Sequence, residues 1–255
     1  MSLLQQINSR LVEVNELVEE PYSYVLGYPK CPRDELENRV RELKSMDVKG
    51  IMFEGSSMIG KLNILGKGCV SVVVKVVLND RTVALKIRRL DADRESMERE
   101  ANFLNIANSV DVGPKLAAMS KNFLAMQLAD GEKMVDWIQH DLEDRQVRSV
   151  ARQVLEQCFR LDGIGLDHGE LSNLNKHVIV GENVTIIDFE SASIQRRVAN
   201  VTAATQCLFI GSAIARKVRD VLKISSTDEI IHALKKYKND VSKENFESLV
   251  SVLKL

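Results

Sequence analysis

From Gly50 to about residue 129 the chain is written as short β-branched runs broken by glycine or by Asn79-Asp80: GIMFEG, KLNILGKG, SVVVKVVLND, TVALKIRR and NFLAMQLADG. Runs of this kind are antiparallel strands joined by hairpin turns. From Glu132 onward the apolar residues recur mainly at helical spacing, interrupted by KHVIV, Gly181-Glu182-Asn183 and VTIID, which read as a small hairpin. Strands first and helices later argue against a doubly wound sheet and for an α+β chain in two lobes. The expected boundaries are a helical N-terminal extension over 1–49, a strand-rich lobe over 50–130 and a helical lobe over 131–255.

Helices are expected over 3–19, 33–46, 91–108, 227–238 and 243–254, with a loop from Tyr22 to Cys31. Pro32 stands at the entrance of the second, and Leu36, Val40 and Leu43 follow at helical spacing. The extension is either a helical brace on the strand lobe or a cut-down winged helix. It lacks the dense basic face that DNA binding needs.

Composition excludes more than it selects. Thirty-five basic against 36 acidic residues leave a net charge of −1, so no global field draws the chain to nucleic acid or to a membrane surface. No apolar run approaches the ~20 residues of a membrane span, and MSLLQQINSRLVEV lacks the basic-then-apolar order of a secretory signal. Cys31, Cys69, Cys158 and Cys207 form no CxxC pair and suggest neither zinc nor a disulfide framework. Reduced thiols and a cytoplasmic location are expected.

The chemistry concentrates in a few places. Gly66 and Gly68 stand between two strands in the frame G-x-G-x-x-S-x-V, which lets backbone amides approach phosphate oxygens. A plain glycine turn accounts for the same residues. Lys86 lies inside a strand with Ala84 and Arg88 on its face and Val83, Leu85 and Ile87 on the other. On the following helix, Met97, Ala101, Leu104 and Ala107 define an apolar arc with Glu100 in its middle. A carboxylate there is costly unless paired, and Lys86 is the natural partner. Then LDHGELSNLNKHVIVGENVTIIDFESAS crowds Asp167, Glu170, Asp188 and Glu190 around Asn175. Like charges repel, so something positive belongs among them.

In this order, the glycine loop, strand lysine, helix glutamate, HGE-x4-N and DF resemble the protein-kinase-like superfamily. HGELSNLN, GKGCVSVVVKV and MEREANFL look most like its small atypical branches: RIO-type kinases, the small kinase of the KEOPS complex, and an archaeal group of predicted serine/threonine protein kinases. The likeness covers roughly 50–215. It implies a two-lobed protein-kinase-like fold, with a five-stranded N-lobe over a reduced helical C-lobe and ATP with Mg²⁺ (or Mn²⁺) in the cleft. Nucleotide contacts would come from Gly66, Lys67, Gly68, Ser71, Val73, Ala84 and Lys86, with Glu100 holding Lys86. Met126 would be the gatekeeper, and Gln127, Leu128 and Ala129 would offer backbone groups to adenine. Asn175 and Asp188 would hold the metal, and Glu170 would orient the acceptor.

The departures are specific. Glu170 stands where the family has a catalytic aspartate, so reach rather than basicity changes. Asp167 is a possible substitute whose side chain should point elsewhere. Glu190 replaces the glycine of D-F-G, Ser172 replaces a phosphate-contacting lysine, and no A-P-E or long activation segment follows. Related choline- and aminoglycoside-type kinases can carry an acid near Glu190, which leaves small hydroxylated substrates open. Arg196 and Arg197 meet either an acidic group or solvent. His168 is expected to bond backbone near Asp188, His177 to start a strand and point to solvent, and Trp137 to lie in the C-lobe core. Three functions compete: an ATP-dependent serine/threonine phosphotransferase with a protein substrate or itself as acceptor, an ATPase, and a nucleotide-binding pseudokinase that docks a partner.

Overall fold

The computed structural model describes residues 10–224 and 226–255. The chain forms two compact units. One takes the residues up to Asn102 with Lys115–Leu128, and the other takes Phe103–Pro114 with Ala129–Leu255.

The first unit begins with strand β1 (Leu11–Glu13), a 3₁₀ turn over Val14–Val18, and helices α1 (Ser23–Leu26) and α2 (Arg33–Ser45). Strands β2 (Val48–Met52), β3 (Ser57–Ile59), β4 (Leu62–Ile64), β5 (Gly66–Lys67), β6 (Ser71–Leu78) and β7 (Arg81–Arg88) follow, then helix α3 (Glu98–Asn108), of which the residues after Asn102 are assigned to the second unit, and strands β8 (Leu116–Met119) and β9 (Phe123–Gln127). A seven-stranded sheet runs β1-β2-β6-β7-β9-β8, with β5 paired to β6, and β3 with β4 forms a separate hairpin. The strand count exceeds the five expected because β1 and the two-residue β5 also join this sheet.

The frame of this unit is the β6–β7 hairpin, paired without interruption from Ser71↔Arg88 to Leu78↔Arg81. Its turn is Asn79-Asp80, both at positive φ (47° and 59°). Asparagine and aspartate tolerate that geometry, and it matches the twist of the flanking strands. Val72, Val74, Val76, Leu85 and Ile87 are buried in one core with Leu17, Leu26, Leu36, Val40 and Leu43 of the N-terminal segment. That segment therefore covers one face of the sheet.

A polar clamp fixes it there. Arg39 of α2 is fully buried; it donates to the carbonyls of Leu26 (2.7 Å) and Arg88 (2.8 Å), to Asn122 Oδ1 (3.3 Å) and to Glu35 (3.1 Å). Asn122 in turn donates to Glu42 from its backbone (2.7 Å) and its side chain (2.8 Å). These bonds favour the brace over a separate winged module.

Two expected helices are shorter. The part of 3–19 that lies within the described residues is β1 and the 3₁₀ turn, because residues 11–13 pair with β2; residues 3–9 lie outside the described residues. The helix expected over 91–108 begins at Glu98. Arg88 donates to the Arg94 carbonyl, and the Met97 N–H bonds the Lys121 carbonyl, which holds the preceding residues off the helix.

The second unit contains β10 (Glu132–Lys133), α4 (Met134–Trp137), α5 (Asp144–Gly163), α6 (Leu174–His177), β11 (Val178–Val180), β12 (Val184–Ile186), α7 (Asn200–Thr205), α8 (Ala213–Leu222), α9 (Asp228–Asn239) and α10 (Lys243–Val252). β10, β11 and β12 form an antiparallel sheet. α5 opens on a Glu143–Gln146 capping box and buries Val147, Val150, Ala151, Val154, Leu155, Cys158 and Leu161. Trp137, expected in the core, is only half-buried at the end of the one-turn α4. All four cysteines are free thiols. Among the described residues no helix is long and apolar enough to cross a membrane.

Candidate active site

In the first unit, strand register places the candidate nucleotide residues in rows. Gly66 pairs Val73, Val73 pairs Lys86, and Lys86 pairs Leu124. One row along, Lys75 pairs Ala84 and Ala84 pairs Met126. Directly opposed residues share a face, so Val73, Ala84, Lys86 and Met126 lie together on the face turned away from the N-terminal segment. A Cβ added at Gly66 meets nothing within 4 Å, so no neighbouring atom crowds this position. The Gly68 N–H bonds the Ser71 carbonyl (2.8 Å), and Arg89 donates to the Gly68 carbonyl (2.7 Å), which shapes the loop. Lys67 is exposed and donates to Tyr28 Oη (3.1 Å). Gln127 is exposed, and its N–H bonds the Lys115 carbonyl; Leu128 and Ala129 are half-buried.

Lys86 and Glu100 are 5% and 2% exposed, and the ammonium donates to the carboxylate. Arg94 lies 4.0 Å from the other Glu100 oxygen. A buried ion pair is not a cheap source of stability, because desolvation offsets its attraction. Its value here is placement: a buried cation held at a fixed point on the sheet face, beside Val73, Ala84 and Met126.

In the second unit, the segment from Leu166 to Ser191 is built on backbone bonds. Asp167 and Ser193 exchange N–H···O bonds of 2.9 and 2.8 Å. Buried Asn200 accepts the His168 N–H (2.8 Å) and donates to the Leu166 carbonyl (2.8 Å), and is itself held by Asp162. Gly169 has φ +89°, and a Cβ there would collide with Arg196 and lie 2.9 Å from the Ser191 carbonyl. His168 is fully buried and donates through Nε2 to the Ile187 carbonyl (3.1 Å), as expected. Burial pushes its pKa down to about 4, so the ring is neutral near pH 7.

Asp167 points away from the cluster, into Arg196 (2.9 Å) and the Ala199 N–H (3.2 Å). Arg196 thus meets an acid of its own loop, and Arg197 donates to the Lys238 carbonyl. Asp188 is half-buried in the left-handed region (φ 74°), ahead of a 3₁₀ turn over Phe189–Ser191 that contains Glu190. Phe189 is 1% exposed, edge-on to His168 at 4.9 Å. Glu170 and Asn175 are half-buried, and Ser172 is exposed.

His177 corrects the sequence reading. It is the last residue of α6, not the first of a strand, and it is buried rather than solvent-facing. Its Nε2 lies 3.7 Å from Glu170 Oε2 and its Nδ1 lies 3.7 Å from Asp188 Oδ2. One signal could have found it. With Val180 paired to Val184 and Val178 to Ile186, the register puts His177 opposite Ile187, next to Asp188, and its carbonyl accepts the Ile187 N–H (2.9 Å).

A strand-rich unit with a buried lysine–glutamate pair, and a helical unit with an HGE-x4-N loop and a following DF, define the atypical protein-kinase-like class. Residues 51–204 match the RIO domain family, and the chain belongs to it. It is also 31% identical over 105 residues to the uncharacterized protein MJ1211 of Methanocaldococcus jannaschii, covering 41% of this chain and 89% of that protein. The family is kinase-like and ATP-binding, and its fold is the two-lobed kinase-like one.

Proposed function

We propose that this chain transfers the γ-phosphate of ATP to a serine or threonine hydroxyl, on a protein substrate or on itself, with a divalent cation. The observation that carries the reading is the buried Lys86–Glu100 pair set beside Val73, Ala84 and Met126 on one sheet face. Lys86 grips phosphate oxygens while Glu100 keeps its long side chain from wandering. Gly66, Lys67, Gly68 and Ser71 bring backbone and side-chain donors over the phosphates. Met126 bounds the adenine, and Gln127, Leu128 and Ala129 present main-chain groups to it.

The residues of the second unit suit a divalent cation. Asp188 supplies a hard carboxylate oxygen, and the buried Nδ1 of His177 beside it has no hydrogen-bond partner. Asn175 and Asp188 would hold Mg²⁺. The bound cation would neutralise charge developing on the transferred phosphoryl group. Glu170 orients the attacking hydroxyl; its extra methylene relative to aspartate shifts the carboxylate by about 1 Å, a displacement that can cost ~100-fold in rate.

Lys86→Ala and Asp188→Ala are each expected to abolish transfer of labelled γ-phosphate, with circular dichroism unchanged. Transfer retained in both would defeat the reading. A second reading, ATP hydrolysis, is favoured by Glu170 itself, whose longer side chain can position a water. Phosphate release without any phosphorylated acceptor would select it.

A further inference from the structure

In the phosphotransfer roles above His177 only stands beside Asp188 and holds neither phosphate, acceptor nor Mg²⁺, yet its surroundings are those of a ligand. The residue is 7% exposed, and its Nδ1 is buried without a hydrogen-bond partner. That nitrogen is aimed at Asp188 Oδ2 at 3.7 Å, beyond the ~2.7–3.2 Å of a hydrogen bond. Two donors bound to one ion at about 2.0–2.2 Å each stand roughly 3.0–3.5 Å apart, so a few tenths of an ångström of closure would let one cation bridge them.

The opposite ring nitrogen looks at a second carboxylate, Glu170 Oε2, also at 3.7 Å. A histidine that binds metal through one nitrogen commonly donates its other N–H to a carboxylate, which fixes the tautomer and strengthens the ligand. The donor atoms of Glu170, His177 and Asp188 all lie within 4.8 Å of one another.

We propose that His177 Nδ1 and Asp188 form a binding site for a borderline divalent cation of the zinc–cobalt class, with Glu170 orienting the imidazole from its far side. Imidazole nitrogen suits such ions, whereas Mg²⁺ takes oxygen ligands. The site shares Asp188 with the proposed phosphotransferase and rests on that reading only there; it needs no nucleotide. Glu170, the longer acid, spans to the imidazole as well as to an acceptor.

The test uses the full chain without nucleotide, with the exposed thiol of Cys69 replaced by serine and Co²⁺ as the spectroscopic probe. One Co²⁺ per chain is expected to bind, undisplaced by a hundredfold excess of Mg²⁺. His177→Leu is expected to weaken it by about 100-fold and Glu170→Gln by about 10-fold. Equal Co²⁺ affinity in His177→Leu, as for an imidazole that merely bridges two carboxylates, would overturn the site, as would ready displacement by Mg²⁺. A measurement on unmutated histidines guards against misfolding of that variant: of the four histidines, the His177 ring signal must be the one displaced by Co²⁺, and displacement of another instead refutes the assignment. Lys86→Ala should keep Co²⁺ binding while losing phosphate transfer, so failure of either idea is read separately.

Discussion

Gly169 shows what the catalytic-type loop asks of a single residue. Its φ of +89° and the collision of any Cβ with Arg196 leave no room for a side chain. Gly169→Ala is expected to destabilise the chain by about 1–3 kcal/mol and to reduce phosphate transfer, because the residue sits between His168 and Glu170. Denaturant titration and the transfer assay check this; an unchanged midpoint would mean that the loop relaxes freely. His177 is the opposite case, a residue whose identity said little. Nothing in KHVIV distinguishes a strand-opening histidine on the surface from one turned inward by a preceding helical turn. Only the hairpin register resolves it.

At the scale of elements, what the sequence announced was local chemistry. Asn79-Asp80 demands its turn, so β6 and β7 and the row holding Val73 and Lys86 followed from it. The apolar arc of α3 likewise marked Glu100 as buried. What it hid was non-local. Val14 and Leu17 fit a helical pattern over 3–19, but pairing of Leu11–Glu13 with β2 won. The Arg39 clamp was hidden too, because its acceptors at Leu26, Arg88 and Asn122 are scattered along the chain. Arg39→Met would leave the Leu26 and Arg88 carbonyls without this donor, while Asn122 Oδ1 keeps its bonds from Arg88 (2.8 and 3.0 Å), and should cost about 3 kcal/mol at ~1–3 kcal/mol per unsatisfied group. Faster hydrogen exchange in α1 and α2 than in β6 and β7 would accompany it. Uniform exchange would deny the clamp its part in fixing the N-terminal segment.

For the molecule as a whole, nearly balanced charge leaves the pH response of folding to a few buried groups. Asp162 accepts from the Asn200 backbone (3.0 Å) and side chain (2.8 Å), the Val201 N–H (3.2 Å) and Tyr237 Oη (2.9 Å), joining α5, α7 and α9. Burial nevertheless holds its carboxyl above the usual aspartate value. A folded-state pKa above the unfolded one gives stability that is full below the unfolded value of ~3.9 and lost as pH rises through the raised one. Asp162→Asn should therefore be destabilising and should remove that decline, its deficit against the parent shrinking as pH rises. Urea midpoints across acid and neutral pH measure this; a deficit that grows with pH would reverse the sign. Phe189, finally, is wedged beneath His168, and a Cβ on Gly113 would come within 2.8 Å of its ring. Its neighbour Asp188 holds a left-handed turn, and Glu190 stands where a glycine would ease rotation, so swinging this segment outward would mean both emptying the Phe189 pocket and unwinding that turn.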